Sequence, residues 1–315
     1  MKKILISCLI CICLLVVLLA GASFYMVDYA LARRHTNWTE EKAWQRVENY
    51  YPWTLEWMDS IRADGVLQDT FIQTEDGRRL HGYYLPRHPK HDSVSVARTA
   101  LLIHGYRNCA IDMMHLGYMY HHSMGYNIFL PDLHAHGQSD GESIQMGWKD
   151  RLDALRWCEV AESVFHTPMV VHGISMGAAT TMMLSGEENL PANITHFVED
   201  CGYTSAWDEF KGELACQFSL PAFPLLHLTS LLCDAMYDWN FTEASALRQV
   251  AKCRRPMLFI HGDADDFVPT WMVHPLHEAH QGQKQLWLTE GVDHAHSYRY
   301  YPDEYTERVR RFLFR

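Results

Sequence analysis

The sequence lacks a basic surplus. Over 315 residues, 27 Lys and Arg stand against 38 Asp and Glu, a formal balance of −11. A nucleic-acid partner needs a concentrated basic footprint, so that class is excluded, and the acidic excess reads as a solubility feature. Internal repeats and low-complexity tracts are also missing, and nothing in the composition points to disorder. The six cysteines beyond the N-terminal segment (Cys109, Cys158, Cys201, Cys216, Cys233 and Cys253) form no Cys-x-x-Cys pair and no zinc-finger spacing. Most of them read as small buried hydrophobes, and no disulfide is assigned. Beyond residue 27 no run of comparable length is as apolar, so one membrane crossing is expected at most. A chain of this length suits one large α/β domain or two ordinary ones.

One long, strongly apolar run is present. Lys2 and Lys3 precede 24 uncharged residues, 4 to 27, more than the ~20 a helix needs to cross a bilayer. Cys8, Cys11 and Cys13 lie inside it, none where a lipoprotein cleavage box would put it. Ala20-Gly21-Ala22 also fits a signal-peptidase site. The expectation is an uncleaved anchor over residues 1–30, because the apolar run continues past that site. The alternative is a signal peptide cut after Ala22. In both, the basic start holds the N-terminus in the cytoplasm and the body, residues 31–315, lies outside it, membrane-bound in one case and secreted in the other. A body beginning near Arg33 is then expected to be soluble and active.

Leu31 to about Arg62 is rich in Trp and Tyr and is expected to form helices packed on the body. "LQDTFIQTEDGRRLHGYYLP" alternates on both sides of Asp76-Gly77, a dipeptide that tolerates a tight hairpin turn. "HPKHDSVSVART" is polar and reads as a loop. Six short apolar runs follow: "ALLIHG", "YNIFLPD", "PMVVHG", "HFVED", "PMLFIHG" and "QLWLTEG". They are the pattern of parallel strands covered on both faces. Between two of them, Trp148, Leu152, Leu155 and Cys158 form a helical stripe, with Asp150, Arg151, Asp153 and Glu159 on other faces. The alternation predicts a mostly parallel, doubly wound α/β sheet with an antiparallel N-terminal hairpin. About 50 residues, Thr204 to Arg255, interrupt it and are too apolar for a simple connection. Their first part, about 204–246, is expected to form a small helical lid.

Chemistry enters at "VHGISMGAAT". Ser175 stands between Gly173 and Gly177, directly after an apolar strand and before a sequence fit to start a helix. A cramped strand-to-helix turn that exposes a serine hydroxyl requires minimal side chains at those two positions. "IHGDADDFVP" then supplies Asp263, Asp265 and Asp266 at the end of a strand, and "TEGVDHAHSY" supplies His294 and His296 after the last one. The order Ser, Asp, His is the one such an elbow needs.

With "LLIHGY", "DLHAHGQSDG", "HGISMG", "IHGDADDFVP" and "GVDHAHSY" in sequence, the chain from about Leu67 to Arg315 resembles the α/β-hydrolase fold. Within it, the resemblance is to exported bacterial serine hydrolases related to esterases and S9/S33-type serine peptidases. Ala135 departs from the family's Asp-x-x-Gly-His-Gly. The family patterns Gly-x-x-Asp-x-x-Val-Pro and Gly-x-x-His select Asp265 and His294, leaving Asp263 and Asp266 as turn or capping residues, His296 as a neighbouring alternative base and Asp293 as a loop residue. The resemblance implies Ser175 as nucleophile, His294 as general base and Asp265 as its orienter. The backbone N–H groups of Tyr106 and Met176 are the implied oxyanion hole. It implies no cofactor.

The expected activity is hydrolysis of carboxylic esters through an acyl-enzyme, on a small-molecule substrate bound under an apolar lid. A short-peptide peptidase with the same triad is the alternative. It needs a group for the substrate's ammonium, and Glu187-Glu188 and Glu142 cannot be placed from sequence. A catalytically inactive binding protein of the same fold is the alternative of another class. No metal is expected: "HAHGQSD", His134 to Asp140, lacks the Asp and the second His of a metallo-hydrolase signature. His274, His277 and His280 read as a solvated helix face, and His121-His122 as surface. Asn37-Trp38-Thr39, Asn193-Ile194-Thr195 and Asn240-Phe241-Thr242 match the glycosylation sequon, which matters only in a eukaryotic secretory pathway. Oligomeric state is left open.

Overall fold

The computed structural model describes residues 1–35, 39–74, 76–88 and 97–314. Asn37 and Trp38 of the first sequon, and the middle of the polar loop at 89–96, lie outside the described residues. Eight strands are present among them: β1 (Gln68–Gln73), β2 (Arg79–Leu85), β3 (Thr99–Ile103), β4 (Asn127–Pro131), β5 (Met169–Ile174), β6 (Ile194–Asp200), β7 (Met257–Gly262) and β8 (Lys284–Thr289). They form one sheet in the order β1-β2-β4-β3-β5-β6-β7-β8. β1 and β2 are an antiparallel hairpin, with Gln68 opposite Tyr84 and Gln73 opposite Arg79. β2 runs antiparallel to β4, and every later pair is parallel. The expected mixed, mostly parallel sheet is therefore observed, and all six apolar runs are strands.

Helices α1 (Lys2–Leu31), α2 (Glu40–Tyr50), α3 (Leu55–Asp64), α4 (Met114–Gly117), α5 (Asp150–Phe165), α6 (Met176–Ser185), α7 (Ala206–Phe218), α8 (Leu225–Tyr237), α9 (Ala246–Val250), α10 (Val273–Ala279), α11 (Ser297–Tyr300) and α12 (Pro302–Leu313) surround the sheet. Strand residues alternate between two cores, as a period of two requires. Leu101, Ile103 and Val171 join Trp157, Met182 and Val250 on one face. Ala100, Leu102 and Val170 join Trp44, Trp57 and Phe312 on the other.

The α5 stripe differs from the expectation. Leu152 is exposed, and the buried face is Asp150, Asp153, Ala154, Trp157, Cys158 and Ala161. Small residues let the helix lie close to the sheet, and both aspartates have partners inside: Asp150 accepts the Gly147 N–H at 2.8 Å, and Asp153 meets Arg78 at 3.3 Å. Two histidines also depart from the surface reading. His121 is buried against Trp57, whose Nε1 donates to its Nδ1 at 3.1 Å, and His280 is buried with Nε2 3.0 Å from the Arg255 carbonyl. His122 and His274 are exposed as expected.

Helix α1 has two unlike halves. At 1.5 Å per residue it is about 45 Å long, whereas a ~30 Å hydrocarbon layer takes up roughly 20 residues. Ile4, Leu5, Leu9, Leu14 and Leu18 are all more than half exposed. From Ser23 onward every fourth residue, Ser23, Val27 and Leu31, is buried. The helix end packs on α8 and is hydrogen-bonded to the body: the Tyr106 hydroxyl donates to the Ala30 carbonyl at 2.6 Å, Arg107 Nη2 to the Tyr29 carbonyl at 2.6 Å, and the Ile144 N–H to the Leu31 carbonyl at 2.7 Å. Val27 and Leu31 therefore belong to the globular body's core, and a body that began near Arg33 would lack them.

Candidate active site

Ser175 links β5 to α6 with φ 58° and ψ −121°, a conformation that L-residues rarely adopt. The glycines around it are there for space. A Cβ on Gly173 would lie 2.0 Å from the Gly177 carbonyl oxygen, and one on Gly177 would lie 2.1 Å from the Ile103 carbonyl oxygen. The turn thus presses the start of α6 onto the end of β3 and leaves the serine side chain at the top of the sheet.

His294 follows β8, and Asp265 follows β7. His294 Nε2 is 2.8 Å from Ser175 Oγ, and its Nδ1 is 2.7 Å from Asp265 Oδ2. Asp265 is buried and also accepts the N–H groups of Phe267 at 3.1 Å and Val268 at 3.0 Å on Oδ1. Burial alone would raise its pKa, but hydrogen bonds from His261 and His294 outweigh that and hold the carboxyl at about 2. The structure thus brings Ser175, Asp265 and His294 into one hydrogen-bonded chain. The other candidates are placed elsewhere. His296 Nδ1 pairs with Asp293 at 2.6 Å, Asp263 accepts the Gly291 N–H at 2.6 Å and so pins the loop before His294, and Asp266 is exposed.

Met176 is the first residue of α6, where an N–H has no intrahelical acceptor. Tyr106 follows Gly105, whose added Cβ would meet Ser175 Cβ at 3.3 Å. Both residues line the same cavity as Ser175. Ala135, the departure from the glycine pattern, takes a positive φ of 62° and donates its N–H to the Asp140 carbonyl at 2.9 Å. In the same loop His136 Nδ1 is 2.8 Å from the His134 carbonyl, and Arg78 Nη1 is 2.6 Å from His134 Nδ1. These histidines hold the loop's shape.

Two cavities flank Ser175. One, about 340 Å³, is roofed by the end of α1, by α7 and by α8, and its wall includes Met26, Tyr29, Phe210, Leu226 and Phe241. The other, about 520 Å³, lies under α2 and holds His294, Asp293 and His296. Sequence reasoning missed several residues here. His261, buried on β7, has Nε2 3.4 Å from Asp265 Oδ2 and 2.9 Å from the Val268 carbonyl. Asp200 ends β6 and accepts the Tyr305 hydroxyl at 2.9 Å; burial, against that hydrogen bond, raises it to about 6. Among the described residues, Cys201, Asp265 and His294 have ligand atoms within 4.8 Å of one another. Two of the three are already bound to each other and to Ser175. Glu209 and Glu213 line the first cavity, whereas Glu142, Glu187 and Glu188 do not. The only signal for these acids was the pair that closes the apolar run "HFVED"; "DEFKGEL" is mostly polar and carries none.

No family model matches the chain. The uncharacterized Bacillus subtilis protein YqkD is 25% identical over 244 residues, 77% of each chain. The uncharacterized Mycobacterium tuberculosis protein Rv2307c is 24% identical over 228 residues, 72% of each chain. Among solved structures, the Pyrococcus furiosus esterase Pf2001 superposes with a TM-score of 0.61 at 24% identity, covering 78% of this chain and 91% of that one. Est1E from Butyrivibrio proteoclasticus, solved with ferulic acid bound, gives a TM-score of 0.58 at 18% identity, covering 78% and 98%. Likenesses at this level show the fold, an α/β-hydrolase fold, and the chain is a distant homologue of YqkD.

Proposed function

We propose that this protein is a serine hydrolase that cleaves carboxylic esters through an acyl-enzyme. The observation that carries the reading is the unbroken chain Asp265–His294–Ser175 at 2.7 and 2.8 Å, with the serine held on a strained elbow. Serine is a poor nucleophile at its ordinary pKa, so His294 Nε2 takes the Oγ proton as Oγ attacks the ester carbonyl. Asp265, ionised at neutral pH, fixes the Nδ1–H tautomer and stabilises the imidazolium. Charge developing on the carbonyl oxygen meets the Met176 and Tyr106 N–H groups. His294 then returns the proton to the leaving alkoxide, and water attacks the acyl-serine by the same route.

The general acid must face the leaving group. His294 lines the larger cavity and not the smaller one, so the alcohol departs into the larger cavity and the acyl group occupies the apolar one under α1, α7 and α8. In this reading α7 and α8 are a lid, residues 2 to about 21 of α1 are a membrane anchor, and the turns of α1 beyond the anchor, with Met26, Tyr29 and Ala30, form part of the acyl wall. A fluorophosphonate probe tests the chemistry. The folded protein should be labelled at Ser175, and absence of label overturns the hydrolase. Membrane fractionation with N-terminal sequencing tests the anchor: soluble protein beginning at Ser23 overturns it.

A further inference from the structure

The acyl cavity contains two carboxyls that neither the packing nor the ester chemistry uses. Glu209 and Glu213 lie one helical turn apart on α7, and both line the cavity beside Ser175. Glu209 is 4% exposed, and its Oε2 has no hydrogen-bond partner. Such a group is costly in an otherwise apolar site, where leucine or methionine would pack without penalty. Burial first, then the Glu213 and Asp265 charges, push its pKa well above the carboxylate range. Glu213 is held in turn: Gln217 donates to it, and the Tyr29 hydroxyl donates to Gln217 Oε1 at 2.8 Å.

Two acids of one sign, set among aromatic rings, complement a cation. Tyr29, Phe210, Phe218 and Phe241 line the same cavity, and ring faces attract an ammonium that has left water. Arg107, the one cation among the described lining residues, is engaged at the edge, with Nη2 on the Tyr29 carbonyl and its guanidinium 4.8 Å from the Tyr106 ring centre. We propose that Glu209, supported by Glu213, is the binding site for an ammonium group on the substrate's acyl part, so that the preferred substrates are aminoacyl esters or amides. There the ammonium and the Glu209 carboxylate form an ion pair. This rests on the serine-hydrolase reading and on the acyl group occupying the cavity under α7.

The test compares L-alanine p-nitrophenyl ester with p-nitrophenyl propionate, which differ only in the ammonium, using the full chain in detergent micelles. The readout is the ratio of their kcat/KM values, divided by the ratio of their hydroxide-catalysed rates. The wild type is expected to give a corrected ratio above one. Glu209→Gln is expected to lower it at least fivefold, mostly through KM, and Glu213→Gln to lower it less. Glu209→Leu, which removes the buried carboxyl outright, should melt higher than wild type and lose the same preference, separating recognition from folding. A wild-type ratio of one or less, or a fall under fivefold in both Glu209 variants, overturns the ammonium site while fluorophosphonate labelling at Ser175 keeps the hydrolase intact. An unlabelled, inactive wild type overturns both.

Discussion

The strand ends beneath Ser175 and the helices above it solve different problems. Below, position is fixed by directional bonds: the Asp265–His294–Ser175 chain, the N–H groups of Phe267 and Val268 on Asp265, and Gly173 and Gly177 packed at distances no other residue permits. Above, α7, α8 and the end of α1 meet mainly through apolar contact, with a few hydrogen bonds such as Tyr106 to Ala30. In the proposed reading the lower half determines what reaction occurs, and the upper half what it occurs on. A bond-fixed region fails steeply when one atom is lost, whereas a packed region fails in proportion to the area removed.

Breaking the lower half should give the largest effects. Ser175→Ala is expected to cut kcat on the order of 10⁶-fold, by analogy with triad knockouts in serine hydrolases, with the fold unchanged by circular dichroism. Asp265→Asn should leave the contacts roughly in place but favour the wrong histidine tautomer, at a cost of about 10⁴-fold in kcat. A loss under tenfold in either would show that these residues are not the reacting chain.

The upper half is challenged by truncation. A protein starting at Ser23 keeps Met26, Val27, Tyr29, Ala30 and Leu31, while one starting at Arg33 loses all of them. Val27 and Leu31 are essentially fully buried, and their burial is worth about 3–6 kcal/mol together at ~1.5–3 kcal/mol per side chain. The Ser23 form should fold and turn over esters, and the Arg33 form should melt far lower with activity down at least tenfold. Equal stability and activity in the two would show that α1 is only a tether. A smaller effect belongs to one of the bonds joining the halves: Tyr106→Phe removes the donor to Ala30 and should cost about 1 kcal/mol, roughly 2–4 °C in Tm.

Stability against pH gives the gentlest comparison, because its limbs report different buried acids. Asp265, held at about 2 with burial outweighed by its histidine hydrogen bonds, adds stability that is present above the ordinary value near ~4 and is lost as pH falls through 2. Asp150 and Glu199 are raised, mainly by burial, to about 7 and about 8. Their contribution is complete below ~4 and is lost as pH rises through those values. Thermal melts should therefore peak at mildly acidic pH and decline towards pH 9, and Asp150→Asn should flatten the alkaline decline. An unchanged slope would remove Asp150 as its source.

What was legible in the sequence follows from how local each determinant is. The six strands, the elbow and the acid and histidine at strand ends are written in runs of five to ten residues, whose alternation and glycine spacing act within the segment itself. The α5 stripe was misread because Asp150 and Asp153 are polar by type yet are matched by the Gly147 N–H and by Arg78, which the chain supplies from elsewhere. His121 and His280 were misread for the same reason.

By itself, then, the sequence determined the sheet, the elbow at Ser175, the order of nucleophile, acid and histidine, and one apolar helix at the start. Only the tertiary structure decided that His294 rather than His296 reaches the serine, that the last turns of that helix wall the cavity, and that Glu209 lines it with Oε2 unpartnered. The physical reason is range. Backbone propensity and hydrophobic period act over a few residues, but desolvation and hydrogen-bond partnership are set by groups far along the chain, 119 residues apart for His294 and Ser175 and 76 for Tyr106 and Ala30. Those separations close only when the sheet has formed.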